Sequence, residues 1–180
     1  MTDEQIARRL QERFGYRILE YNTAGPTPFC KVSPGAIAAV CEYLRDDPDL
    51  RFDSCMCVSG VDYGKDLGVV YHLHSMSKRH KCVLHVDLPR EDPHVPTVSH
   101  IWSTADWHER EAYDLFGVVF DGHPDLRRIL LPDDWEGYPL RKDYVTPEYY
   151  NGMRVAFNEE KQGKHGGSWR GEIYLTEEER

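Results

Sequence analysis

No apolar run in this 180-residue chain approaches the roughly 18 residues that a bilayer-crossing helix needs, so no membrane span is expected. Positive charge is also scarce. With 22 Lys and Arg against 31 Asp and Glu, the formal charge is -9. Nucleic acid and anionic lipid attract an excess of Lys and Arg, so neither is an expected partner. Cysteines number only five, an odd count without framework spacing, and they read as reduced thiols rather than disulfides. The opening "MTDEQIARRLQERFG" has neither the apolar core of a secretory signal nor the acid-poor character of a transit peptide. The protein is expected to stay in the compartment where it is made.

Several chemical devices are missing too. Neither G-x-G-x-x-G nor a Walker A loop occurs, and "GKDLGVV" lacks the lysine-serine ending that grips phosphate. No G-x-S-x-G elbow or recognisable Cys-His nucleophile context is found. "HEREA" opens like the HExxH helix of zinc proteases, but Ala112 stands where the second ligand after His108 must be. Iron-sulfur clusters need several thiolates, usually with pairs two residues apart, whereas Cys55 and Cys57 form only a Cys-x-Cys and Cys30, Cys41 and Cys82 are scattered. One metal arrangement stays open. His72 and His74 share a face of one predicted strand, Cys55 and Cys57 a face of another, and Cys82 and His85 sit on a third. If these pairs faced each other they would form a Cys-His site, the basis of a free-standing metal hydrolase. The competing reading is ordinary burial, since free cysteine is among the most buried residue types.

What is present reads as one domain with an arm. Ile6, Leu10 and Phe14 fall on one face of an N-terminal amphipathic helix. In "SPGAIAAVCEYLRDDP", Ser33 is placed as the N-cap and Pro34 at the first helical position, with an apolar stripe of Ile37, Val40, Cys41 and Leu44 and with Pro48 beyond the end. "LRFDSCMCVSGVDYG" alternates Phe52, Ser54, Met56 and Val58 with Asp53, Cys55 and Cys57, a strand pattern. "GVVYHLHSM" and "KCVLHVDLP" are two further strands around the turn "SKRH". "PREDPHVP" breaks regular structure, and "WHEREAYDLFG" is a helix that Ser103 or Thr104 caps and Gly117 ends. From Val118 the chain is rich in turn residues. It is expected to be irregular but ordered, because Phe120, Leu126, Ile129, Leu130, Leu131, Trp135 and Leu140 are too many large apolar groups for a solvated loop. The fold class is therefore α+β: a small antiparallel or mixed sheet with helices packed on it, followed by an ordered irregular segment, all within residues 1–145. Residues 146–180 read as an extended arm whose isolated aromatics seek a groove on another surface.

Trp107 to Gly117 holds His, Glu, Arg and Asp among aromatics. At 100° per residue Glu109, Ala112, Tyr113 and Phe116 share one helical face, and Trp107, Arg110, Glu111 and Asp114 share another. Three readings compete: carboxylate catalysis, a solvated charged face, or a buried ionic network. The cations downstream, Arg127, Arg128, Arg141 and Lys142, favour the network, because an unpaired buried charge is costly. Bidentate Arg-carboxylate pairs fixing the irregular segment onto the helix are the expectation. Carboxylates neutralised in that way are weak bases, which suits docking better than catalysis.

Trp107 to Tyr144, "WHEREAYDLFGVVFDGHPDLRRILLPDDWEGYPLRKDY", resembles the signature of the C-type subunit (the 30 kDa subunit in mitochondria) of NADH-quinone oxidoreductase, respiratory complex I. The likeness rests on E-R-E-x-x-D-L-F-G at Glu109 to Gly117 and on the long run from Gly122 to Tyr144. "FDSCMCVSGVDYG" and "VVYHLHS" resemble the family's sheet, which extends the likeness to Val32 through Tyr150. The resemblance implies a non-redox structural subunit in the peripheral arm of a proton-translocating complex, which passes electrons from NADH through FMN and iron-sulfur clusters to quinone. FMN and clusters would sit in partner subunits, and this chain would bind no cofactor or metal and hold no catalytic residue. The implied partners are the D (49 kDa) and B subunits, at the cytoplasmic side of the bacterial inner membrane. The signature residues implied to serve structure and subunit contact are Trp107, His108, Glu109, Arg110, Glu111, Asp114, Phe116, Gly117, His123, Pro124, Asp125, Arg127, Arg128, Asp133, Trp135, Arg141, Lys142 and Asp143. The same building block also suits a related membrane-bound hydrogenase or a quinone oxidoreductase fed by another donor.

Overall fold

Thr2 and Gln5 cap one another at the start of helix α1 (Asp3–Phe14), each side chain taking the other's backbone N–H. The structure, a computed structural model, describes residues 1–147 and 149–154. Helix α1 buries Ile6 and Leu10 and half-buries Phe14, the face the sequence periodicity selects. Strands β1 (Ile18–Asn22) and β2 (Phe29–Val32) follow. Helix α2 (Ile37–Asp46) begins later than predicted. Pro34–Ala36 forms a tight 3-10 turn in which the Ala36 amide donates to the Ser33 carbonyl at 3.0 Å, and the Ser33 side chain makes no cap bond. The backbone satisfies its own first donor there, so Ser33 is not needed as a cap. Ile37, Val40, Cys41 and Leu44 are buried as the stripe predicts.

Strands β3 (Ser54–Asp62), β4 (Asp66–Ser75) and β5 (His80–Pro89) form the expected antiparallel meander. They join the earlier pair in a five-stranded mixed sheet of order β1-β2-β5-β4-β3, with β2 parallel to β5. That α+β class agrees with the sequence reading. The phase of β3 does not. Cys55 pairs with Leu73 and Cys57 with His72, leaving Met56 as the extra residue of a bulge. One inserted residue shifts every later side chain to the other face, so Cys55 and Val58 turn to the core while Met56 is 54% exposed.

The helices cover one face of this sheet. Phe116 of the third helix lies so close above Gly60 that a Cβ there would sit 2.6 Å from its ring. Val69, Tyr71, Leu73, Leu84, Val86 and Leu88 bury their side chains in the same cluster as Ile6, Ile37 and Leu44. Phe29, Val70, His72, His74, Val83 and His85 occupy the alternate positions and the opposite face.

"PREDPHVP", predicted to be irregular, contains the short strand β6 (His94–Pro96), which pairs in parallel with β7 (Val119–Asp121). Between them runs helix α3 (Ser103–Phe116). Neither predicted cap is used: Trp102 occupies the N-cap position without a side-chain bond, and Thr104 donates instead to the Cys55 carbonyl at 3.1 Å. The Trp102 indole donates to the Phe52 carbonyl at 2.9 Å, so the helix start is fixed from the side by the chain leading into β3. Gly117 ends α3 in the left-handed conformation, φ 73°, as its residue type predicts.

From Val145 onward a separate unit begins. Its described part is a hairpin of β8 (Tyr149–Tyr150) and β9 (Met153–Arg154). Asn151 (φ 48°) and Gly152 (φ 76°) form its turn, a residue pair that tolerates positive φ. The arm expected over 146–180 therefore opens on a hairpin, and its positions from 155 lie outside the described residues.

A Cβ at Gly117 would overlap the Tyr138 ring in addition to the strain at φ 73°. Gly117→Ala should therefore cost about 1–3 kcal/mol in denaturant unfolding. Gly35→Ala, where no atom lies within 4 Å of the added methyl, should change stability by less than about 0.5 kcal/mol.

Candidate docking site on the signature helix

Asp114 sits on the inner side of α3, with none of its side chain exposed. Its Oδ2 accepts from three consecutive amides, Ile129 at 3.0 Å, Leu130 at 2.7 Å and Leu131 at 3.0 Å. Its Oδ1 takes Arg128 at 2.9 Å. Burial raises the carboxyl's pKa, but these amides and the guanidinium outweigh it and hold the group below the ordinary carboxylate range. Arg128 also donates to the carbonyls of Asp114, Trp135 and Gly137 at 3.1–3.2 Å and lies over the Tyr138 ring. One aspartate and one arginine thus knit residues 128–137 onto the helix.

The other signature cations work through the backbone rather than through the carboxylates assigned to them. Arg141 donates to the Phe116 carbonyl at 2.6 Å and stacks on Tyr138. Arg110 is buried, donates to the Arg127 carbonyl at 3.4 Å, and its nearest anion is Asp125 at 3.8 Å. Arg127 pairs with Asp125 in solvent. Lys142 contributes its amide, which donates to Asp62 Oδ2 at 2.7 Å. The expectation of a set of bidentate pairs is therefore corrected, because at the end of α3 the unsatisfied carbonyls are the stronger claim on a guanidinium.

A bidentate pair does exist where the sequence reading had none. Asp62, at the end of β3, takes Arg90 at 2.8 and 3.0 Å. Arg90 holds the Asp62 carboxyl far below the usual carboxylate range despite burial, helped by the Lys142 and Gly64 amides. Arg90 also binds Asp143, so the clasp fastens the far end of the irregular segment to the sheet. Asp62 and Arg90 lie 28 residues apart in "VDYG" and "PRED", and nothing in their local pattern marks them as partners.

Glu109 departs furthest from expectation. It is fully buried, and among the described residues no arginine or lysine pairs with it. Val98 N–H donates to Oε1 at 2.7 Å, Thr97 Oγ1 contacts Oε2, and the buried His123 ring lies 3.8 Å away. Burial pushes this carboxyl up to about 7, against the pull of the Thr97 and Val98 hydrogen bonds. Thr97 was not singled out in the sequence, and its place after "PHVP" carries no signal of the role.

The outward side of the site is apolar in part. Trp107 is 61% exposed, with the Arg110 guanidinium 4.9 Å from its ring centre. Leu130 and Leu140 are also exposed, so the prediction that the segment buries its large apolar groups holds for Phe120 but not for these two. Glu111, Pro124, Asp133, Lys142 and Asp143 are exposed, and His108 and Trp135 half-buried. The Cys-His pairs do not converge: Cys55 and Cys82 face the helices, whereas Cys57, His72, His74 and His85 lie on the opposite face. Among the described residues no three His, Cys, Asp or Glu side chains gather as metal ligands would.

A family model described as "Respiratory-chain NADH dehydrogenase, 30 Kd subunit" matches residues 30–150. The chain belongs to this family. Within it, the C-type subunit of the NADH-quinone oxidoreductase of Chloroherpeton thalassium is 48% identical over 157 residues, covering 86% of this chain and 65% of that protein. The chain spans between about half and two thirds of the length of several such relatives. Two solved structures share the fold. A chain of the membrane-bound sulfane sulfur reductase, an archaeal respiratory membrane complex, is 25% identical with a TM-score of 0.65, covering 79% of this chain and 85% of that one. The trypsin-resistant fragment of Nqo5 is 28% identical with a TM-score of 0.52, covering 68% of this chain and 99% of that one. Among the described residues no helix is long and apolar enough to cross a membrane. The family's match contains α3 and both clasps, so Asp114 and Asp62 lie inside the matched region.

Asp114→Asn should cost about 3–5 kcal/mol in chemical denaturation at neutral pH, because Arg128 keeps its buried position without a counter-charge. Acid should weaken the same contact. The folded pKa lies below the ordinary 3.8, so the contribution is complete above 3.8 and is lost as pH falls through the folded value.

Proposed function

We propose that this chain is a positional, non-redox subunit of a proton-translocating NADH-quinone oxidoreductase. In this reading it holds no cofactor of its own. It docks against the D (49 kDa) and B subunits on the cytoplasmic side of the bacterial membrane, and FMN and iron-sulfur clusters sit in partner subunits. The observation that carries the reading is how the signature carboxylates are occupied. Asp114 and Asp62 spend their lone pairs on the chain's own amides and arginines. Glu109 lies fully buried, with the Val98 amide and the Thr97 hydroxyl at its two oxygens. The two aspartates so engaged make a stiff frame and poor bases. Rigidity is what such a subunit contributes, since electron transfer between centres depends steeply on their separation.

On that frame Trp107 is presented outward, stacked against Arg110, and an exposed Trp beside an Arg is the residue pairing typical of interface anchors. The rim around it is charged, with Glu111 exposed and Asp125 paired with the exposed Arg127, which suits a partner surface of complementary polar groups. A second reading, that the block serves a related complex fed by another electron donor, is favoured by the likeness to a chain of a sulfane sulfur reductase complex. Co-purification separates the two. A flavin subunit that binds NADH belongs to the first reading, and a different electron-input subunit to the second.

Trp107→Ala should leave the isolated chain folded, with its unfolding midpoint within about 2 °C of the parent, since the indole is mostly in solvent. The same change should weaken recovery of the assembled complex on a native gel by about tenfold. Full recovery with unchanged quinone reduction would overturn the docking role.

A further inference from the structure

We infer that Glu109 is a buried proton-binding site, connected to water through the hydroxyls of Thr97 and Ser99, and that its proton braces α3 against the loop after β7. The inference goes beyond the docking role and does not depend on it. Geometry supplies the first argument. Glu109 Oε2 meets the Thr97 hydroxyl, which touches Ser99 Oγ at 2.8 Å and accepts from the Ser99 amide at 3.1 Å, and among the described residues no arginine or lysine pairs with the carboxyl. That row of hydroxyls serves Glu109 in either state: with the proton on, Oε2–H donates to Thr97 and Thr97 to Ser99, and with it off, Ser99 donates to Thr97 and Thr97 to Glu109. Oε1 is left to accept from Val98, which suits the unprotonated oxygen of a neutral carboxyl.

The same chain gives the proton a way out. Ser99 is half-exposed, whereas Thr97 and Glu109 are buried. When Ser99 gives its proton to water, Thr97 passes its own to Ser99, and Glu109 passes Oε2–H to Thr97. Each hydroxyl breaks one O–H bond and forms another. The result is an ionised Glu109 with both hydroxyls now donating towards it. No oxidant or further reactant is involved.

His123 supplies the second argument. Its side chain is fully buried, and its Nδ1 accepts from the Asp125 amide at 3.1 Å, which leaves the ring proton on Nε2. That Nε2 lies 3.3 Å from the Asp106 carbonyl, 3.4 Å from Asp106 Oδ1 and 3.8 Å from Glu109 Oε2. A single N–H therefore faces two carboxyl groups. With Glu109 neutral it has one anion to satisfy, and with Glu109 ionised it has two. Ionisation sets like charges against each other across His123 and loosens the loop that carries it.

Among the described residues, other elements bring no competing charge to Glu109. The titratable groups facing it are Cys41 of α2, Cys55 of β3 and Tyr71 of β4, besides Asp106 and His123. Burial pushes both thiols and the phenol up, Cys55 to about 12, so all three stay neutral around pH 7. A carboxyl raised from 4.5 to about 7 makes a stability contribution that is fully present below 4.5 and is lost as pH rises to about 7.

The test uses the full chain labelled with carbon-13 at glutamate side chains, titrated by NMR from about pH 6 to about pH 8.5, alongside thermal unfolding over the same range. One carboxyl signal should titrate near pH 7, and the Val98 and Asp125 amides should shift on the same curve. Glu109→Gln should remove that signal and abolish the fall in midpoint, on the order of 5 °C, that the parent shows across this range. Thr97→Val should move the titration upward by about one pH unit, since the charge-assisted bond Thr97 gives the ionised form is stronger than the one it accepts from the neutral form. If Glu109→Gln does not fold, the parent's Val98 and Asp125 curves still decide the matter. A flat response of both amides, or every glutamate already ionised at pH 6, would overturn the inference. So would a Glu109→Gln midpoint that falls with pH as steeply as the parent's.

Discussion

A single carboxylate accepting three successive backbone amides is the contact on which the rest of this molecule depends. Asp114 is on a helix, its donors are on a segment without secondary structure, and the bonds between them substitute for a strand pairing. Such a segment exposes backbone groups that must be satisfied somewhere. Asp114 and Arg128 satisfy them from one end, and Asp62, Arg90 and Asp143 from the other. Between the two clasps the chain can be irregular and still hold a fixed shape. A helix or strand there would repeat along its length, whereas a clasped loop can present Leu130 and Leu140 at spacings no regular element offers.

This arrangement explains which parts were legible in the sequence. The helices and the central meander follow from apolar periodicity, and Gly117 marks the end of α3 because only a left-handed residue fits there. Those are local rules, readable from neighbours. The bulge at Met56 was not readable, since "SCMCVS" supports either phase and only pairing with β4 decides between them. The parallel match of β2 to β5 joins residues more than fifty apart, which no local pattern announces. The caps assigned to Ser33, Ser103 and Thr104 failed for a related reason. Backbone carbonyls reached the orphan amides first, that of Ser33 for Ala36 and that of Trp102 for Ala105, and the Thr104 hydroxyl is engaged by the Cys55 carbonyl.

The site was legible in part of its membership and not in its pairing. Carboxylates among aromatics, followed by arginines, mark the seam at Glu109 and Asp114, whereas Asp62, Arg90 and Thr97 carry no local signal. Which cation meets which anion depends on the fold, and among the described residues Arg141 binds a carbonyl, Arg127 a solvent-side aspartate, and Lys142 contributes its backbone amide. The Cys and His residues were grouped by strand parity, and one bulge was enough to place Cys55 and Cys57 on opposite faces of the sheet.

Glu109 and Asp114, five residues apart on one helix, show why residue type alone does not set a carboxylate's behaviour. Both are fully buried. Asp114 meets four donors, one of them a guanidinium, and stays charged around neutral pH. Glu109 meets one amide, one hydroxyl and an imidazole whose proton it must share with Asp106, and burial raises it to about 7. Burial raises both, and around Asp114 the protons aimed at the carboxylate outweigh it whereas around Glu109 they do not. A frame that is fixed at Asp114 and adjustable at Glu109 can keep its shape at one end of α3 while responding to proton concentration near the other. Moving the Arg128 guanidinium from the first carboxylate to the second would reverse which end is rigid.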